Sequence, residues 1–180
     1  MSLGDPVLSG PQAGRTVTSG HGSTAELKLV GEESGGDWAV VEWRVRAGDD
    51  PPIHIHTRED ETIYVLEGAI TAFVGDEWIE VEAGSYAALP KDVSHGLTVR
   101  GEEARLLVTL APAGAEYFLV PRDENDADPA RFGLIVQGPA MGLTGGDPQP
   151  RPPRFRRATP LVSITSRTTA GANGGHCCPQ

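Results

Sequence analysis

The chain has 180 residues, 38% of them apolar, and a formal net charge of −10. That length allows one domain with a core of its own. The acidic excess argues against nucleic acid as a partner of the folded part, and no apolar run approaches the roughly 18 residues of a membrane span.

The opening MSLGDPVLSG lacks a basic region followed by an apolar one, so no signal peptide is expected. The two cysteines, Cys177 and Cys178, are adjacent and cannot staple a core. That suits a reducing cytosol, and a cytoplasmic location is expected.

Residues 1 to 23, rich in Gly, Ser, Pro and Thr, read as an irregular arm, with His21 as an exposed loop histidine. Residues 24 to 31, TAELKLVG, alternate weakly and suggest an outer strand. Residues 32 to 37 read as a Gly-rich turn. In 38 to 48, WAVVEWRVRAG, one face carries Ala39, Val41, Trp43 and Val45, and the other Glu42, Arg44 and Arg46. This alternation marks a half-buried strand.

The stretch 48 to 68, GDDPPIHIHTREDETIYVLEG, holds the chemistry. His54 and His56 fall on the same face of a strand, roughly 6.5 Å apart along it. The polar residues 57 to 60 form a turn that can return Glu61 over the two imidazoles. Glu59 and Asp60 are read as part of that solvated turn. Two neutral imidazoles and a carboxylate, with positions left open, suit a redox-active divalent metal. If Glu61 faces the metal, Ile63 and Val65 share its face and Tyr64 and Leu66 point away. Apolar and β-branched residues dominate 61 to 66 and 69 to 74, which suggests a hairpin turning at Gly68. A turn at Gly75 to Glu77 leads through Trp78, Ile79 and Val81 to GSYAALPKDVSHGLTV, residues 84 to 99. There His95 opens a strand whose face it shares with Leu97 and Val99. ARLLVTLA, 104 to 111, reads as the closing strand. Strands every 8 to 12 residues with turns between them are the pattern of a sandwich or barrel.

The stretch 48 to 68 resembles the first cupin motif, G-x5-H-x-H-x3-4-E-x6-G, with Gly48, His54, His56, Glu61 and Gly68 in place. The stretch from 84 resembles the second, G-x5-P-x-G-x2-H-x3-N, with Gly84, Pro90 and His95. Asp92 stands where that motif has Gly, and Val99 where it has Asn. Asp tolerates the left-handed turn geometry better than most residues. The resemblance covers about residues 36 to 115. It implies an all-β cupin barrel of the jelly-roll, double-stranded β-helix type, spanning residues 24 to 115. It also implies one divalent metal per chain, Fe, Mn, Ni, Co or Zn, held by His54, His56, Glu61 and His95. A homodimer follows from the same resemblance.

Residues 116 to 146 read as a C-terminal extension with one short helix at 129 to 136, Asp128 capping it and Pro129 at its first position. Pro112, Gly114, Glu116 and Phe118 match a P-x-G-x-E-x-F run and resemble the extension of quercetin dioxygenase-like cupins. Residues 147 to 180, with Arg151, Arg154, Arg156, Arg157 and the His176 to Cys178 triplet, read as a disordered tail. No phosphate loop, Ser/His/Asp arrangement or heptad is present.

Trp43, Ile63, Val65 and Leu97 are candidate walls of a substrate pocket, and Glu61 is a candidate base when its hold on the metal loosens. Three functions fit a small-molecule partner. The first is a metal-dependent, quercetinase-like dioxygenase acting on an aromatic or enol-type substrate. The second is a non-oxidative isomerase or polyketide cyclase, and the third a non-catalytic binding protein. A fold alone does not choose among them. Because the tail has no apolar period, a chain ending at Gly146 should melt within a few degrees of the full chain and keep its metal. Parallel melting curves and metal analysis check this, and a large loss of stability would show that the tail docks.

Overall fold

The structure is a computed structural model, described here for residues 5–19 and 21–140. The expected tail at 147 to 180, its arginines and cysteines included, lies outside the described residues. Among the described residues nine antiparallel strands run in chain order: β1 Thr16–Thr18, β2 Thr24–Leu29, β3 Ala39–Arg46, β4 Pro52–His56, β5 Asp60–Val74, β6 Glu77–Glu82, β7 Tyr86–Leu89, β8 His95–Ala111 and β9 Leu134–Ala140. Two one-turn helices accompany them, α1 Gly31–Ser34 and α2 Glu116–Leu119. Among the described residues no helix is long and apolar enough to cross a membrane.

β5 and β8 form the spine, paired from Asp60↔Ala111 to Val74↔His95. β7 flanks the first half of β5 and β6 the second. Along β8, β3 pairs the later half, while β4 meets its start at His54↔His95 and passes the sheet on to β9. Two wings, β1-β2-β3-β8-β5-β7 and β9-β4-β8-β5-β6, thus share two long strands. Their inner faces carry the core, with Val41, Val45, Ile63, Val65, Ile70, Leu106, Val108 and Leu110 all buried. Period-two alternation supplies this directly, and each such side chain contributes about 1.5–3 kcal/mol on burial. The sheet is the expected all-β form, but its hydrogen-bond path does not close into a ring.

Four local expectations change. Gly68 is not a hairpin turn: β5 runs through it, with register shifts on either side of Glu67. Gly68 takes φ +76°, and a Cβ there would lie 2.6 Å from the Glu103 carbonyl oxygen. The strand therefore bulges and bends, and only glycine fits the close approach of β8. Residues 95 to 111 are likewise one strand rather than two, crossing Gly101 at φ +93°. Residues 129 to 136 hold only a 3₁₀ turn, Pro129–Phe132, capped by Asp128 and ended by Gly133 at φ +75°. The remainder of that segment is β9, so the extension joins the sheet instead of standing beside it. Within the N-terminal arm, β1 pairs with β2, and the Gly-rich turn at 32 to 37 begins with α1.

Gly68→Ala is expected to cost at least ~1–2 kcal/mol, since it combines a left-handed backbone with a clash against β8. Urea denaturation checks this, and an unchanged midpoint would refute the bulge.

Candidate metal centre

β4 sets His54 and His56 on one face, and β8 places His95 opposite His54. Glu61 follows at the start of β5. The turn before His95 is held by Asp92 at φ +64°, whose N–H donates to the His56 carbonyl at 2.8 Å. Asp92 thus keeps the left-handed geometry expected at that position.

The four side chains converge, with one ligand atom of each lying within 4.8 Å of the others. His54 Nε2 is 3.1 Å from His56 Nε2. Glu61 Oε2 is 3.2 Å from both His56 Nε2 and His95 Nε2. Two ligands bound at about 2.1 Å to one ion, at right angles, lie about 3.0 Å apart. The donor set therefore fits a single divalent transition metal with positions to spare.

The opposite ring nitrogens explain the orientation. His54 Nδ1–H donates to the Pro52 carbonyl at 2.8 Å, and His95 Nδ1–H to the Val93 carbonyl at 2.9 Å. A carbonyl only accepts, so both rings donate from Nδ1 and turn Nε2 inward. His56 Nδ1 instead faces Glu59 Oε2 at 3.4 Å. Glu59 is thus not in a solvated turn; it is buried behind His56, while Asp60 stays exposed and accepts from the Lys91 N–H.

Burial pushes the His54 imidazole below its ordinary value. Burial acts the same way on His56, but contacts with the Glu59 and Glu61 carboxylates outweigh it and hold that imidazole up at about 9. Burial would raise the Glu61 carboxyl, yet His56 and His95 hold it well below the usual carboxylate range. Without metal, the cluster therefore keeps Glu61 ionised and a proton on His56.

Beside the cluster lies a small cavity of about 40 Å³. His54, His56 and Glu61 form its polar end. Trp43 lines it, whereas Ile63, Val65 and Leu97 do not and are buried in the core. The rest of the wall is Pro51, Pro52, Leu110, Ala115, Phe118, Leu119, Leu134 and Val136. Sequence reasoning missed these because most lie on the C-terminal segment. The P-x-G-x-E-x-F run pointed at Phe118 without showing where it would go, and a helical reading of 129 to 136 hid the strand that carries Leu134 and Val136. Glu116 of that run is structural: fully buried, it accepts from the Gly31 N–H at 3.0 Å and from the Gly114 N–H.

Residues 41–110 match the family model described as cupin domain. That stretch, and the fold around it, are similar to a cupin domain. No curated protein matches this chain. Solved structures share the cupin fold. An RmlC-like cupin from Shewanella frigidimarina is 21% identical, covering 65% of this chain and 99% of that one, with a TM-score of 0.54. KdgF from Halomonas sp. is 18% identical over 56% of this chain and 88% of that one, with a TM-score of 0.50. Streptomyces Pac13, described as a nucleoside dehydratase, is 14% identical over 77% of this chain and 95% of that one, with a TM-score of 0.55.

The histidines should make the metal-free protein sensitive to pH. His56, raised in the folded state, stabilises it fully below pH ~6.5, the unfolded value, and that stability is lost as pH rises through about 9. His54 acts oppositely, its stability being lost as pH falls below ~6.5. The metal-free protein should therefore melt progressively lower from pH 6.5 to pH 9, and His56→Asn should flatten that fall. Metal must displace the His56 proton, so at fixed free metal its affinity should climb over the same window. Calorimetry of metal-free and loaded protein checks both, and a flat metal-free profile in the parent would refute the His56 assignment.

Proposed function

We propose that the chain is a metal-dependent cupin enzyme that oxidises a small, largely apolar aromatic or enol-type molecule with dioxygen, in the manner of quercetinase-like cupins. The observation that carries this reading is the composition of the cavity wall. Apart from His54, His56 and Glu61, its lining is tryptophan, phenylalanine, proline and aliphatic side chains. Among the described lining residues, no acid or base stands outside the ligand set to relay protons through an isomerisation or dehydration. Oxygen chemistry asks less of the wall, requiring a dry pocket and substrate oxygens held at the metal. A bound Fe, Mn, Ni or Co would supply open positions and a redox couple there.

The chain's own residues supply the remainder. Trp43, Phe118 and Leu134 provide apolar surface for a ring and exclude water. Glu61, held ionised at the polar end, can accept a hydrogen bond from a phenol or enol hydroxyl as that oxygen arrives. The cavity is well below the size of ordinary ligand pockets, which favours a small substrate.

A non-oxidative reading, isomerase, cyclase or dehydratase, is supported by one feature. Glu61 Oε2 lines the pocket and contacts two histidines at 3.2 Å, so a proton could pass between them and a substrate. Pac13 offers a dehydratase on the same fold, but a nucleoside would meet few polar groups on this wall. The test is oxygen uptake by protein loaded separately with Fe, Mn, Ni or Co, over flavonols, enediols and polyketide phenols. Uptake with at least one metal is expected. Turnover that proceeds without oxygen would replace this reading with the second, and saturable binding without turnover would make the chain a binding protein.

A further inference from the structure

Glu59 sits in the turn between β4 and β5, two residues before Glu61. Its side chain is only 2% exposed. A buried carboxylate is costly unless paired. Among the described residues, its ion-pair partner is His56, with Oε2 3.4 Å from Nδ1, and no arginine or lysine is paired with it. His54 and His95 have their rings set by backbone carbonyls two residues before them. His56 alone of the three is set by a side chain.

The C-terminal segment leaves Glu59 its seat. A Cβ on Gly114 would lie 3.4 Å from Glu59 Oε1, and Gly114 itself takes φ +152°. Glu116 fixes that glycine by accepting its N–H. The run 112 to 118 therefore reaches the ligand cluster through Glu59. Charge points the same way, since a divalent ion held by neutral imidazoles is balanced in a buried site by two carboxylates. Glu61 is one, and Glu59 is placed to be the other.

We propose that Glu59 is a positioning residue of the metal centre. It accepts the Nδ1–H of His56, turns Nε2 toward His54, Glu61 and His95, and completes the charge balance around a divalent ion without binding it. The proposal rests on the reading of the four-residue cluster as a metal site. Partners that act through a ligand in this way typically change metal affinity ~10–100-fold.

The experiment uses the full chain, stripped of metal and titrated with Co2+ against a chelator of known affinity. Glu59→Ala should weaken Co2+ binding ~10–100-fold and shift the visible bands of the bound ion. Glu59→Gln keeps the shape and an amide oxygen that can accept from Nδ1–H, so it should lose less affinity and, without metal, melt close to the parent. Because Gln is nearly isosteric, the comparison survives a poorly folded alanine variant. Co2+ affinity within about twofold of the parent in a folded Glu59→Ala protein would overturn the proposal. So would Glu59→Gln losing affinity only in step with its metal-free melting temperature, which is what a purely structural carboxylate would give. A parent that takes up no Co2+ would overturn the metal reading itself, and the role of Glu59 with it.

Discussion

The bend of the β5–β8 ladder is the constraint on which the site depends. Glu61 pairs opposite Leu110 and His95 opposite Val74, so the two ligands stand at opposite ends of one antiparallel ladder. Laid flat, that ladder would hold them roughly 40 Å apart. Their ligand atoms are instead 3.2 Å apart. Both strands fold over on themselves, and both cross the fold at a glycine with positive φ, Gly68 in β5 and Gly101 in β8. A bulge at Glu67 and Gly68 supplies the extra local twist. The same bend moves the flank of β5 from β7 to β6 and that of β8 from β4 to β3, which makes two wings from one sheet.

Closing the wings creates an electrostatic problem that the ligands answer jointly. Three histidines and two carboxylates converge in a region with little access to water. In the metal-free state Glu61 remains charged because His56 and His95 contact it, and His56 keeps a proton because two carboxylates flank it. A divalent ion could replace that proton and bind the inward-facing Nε2 atoms of His54, His56 and His95. Pre-orientation by Pro52, Val93 and Glu59 means little needs to move for it to bind. Asp50 adds rigidity from below, accepting from the Thr98 hydroxyl and the Val99 N–H at 3.0 Å each.

The C-terminal segment turns a ligand cluster into a pocket. α2 brings Phe118 and Leu119 to the mouth, and β9 lays Leu134 and Val136 beside β4. Asp126, fully buried between Arg122 and Arg131, anchors the connection, and Arg122 covers the Tyr117 ring at 3.8 Å. Five of the apolar wall residues therefore come from a stretch outside residues 41–110, the part that matches the cupin domain.

What could be read from the sequence was whatever depends on spacing within a strand. The i, i+2 relation of His54 and His56, the alternation through Val41, Val45, Ile63 and Val65, and the left-handed tolerance of Asp92 are local, because a strand fixes where each side chain points. The motif resemblance added Glu61 and His95 to the cluster. What only the tertiary structure decided depends on which strands meet. A glycine after a charged residue reads equally well as a hairpin or a bulge, and only the approach of Glu103 to Gly68 made it a bulge. An acidic run reads as solvated, and only the tertiary structure buries Glu59, close to Gly114 and His56. Leu134 and Val136 become pocket wall because β4 has a free edge for β9 to join, a pairing between residues about 80 apart that no local pattern encodes.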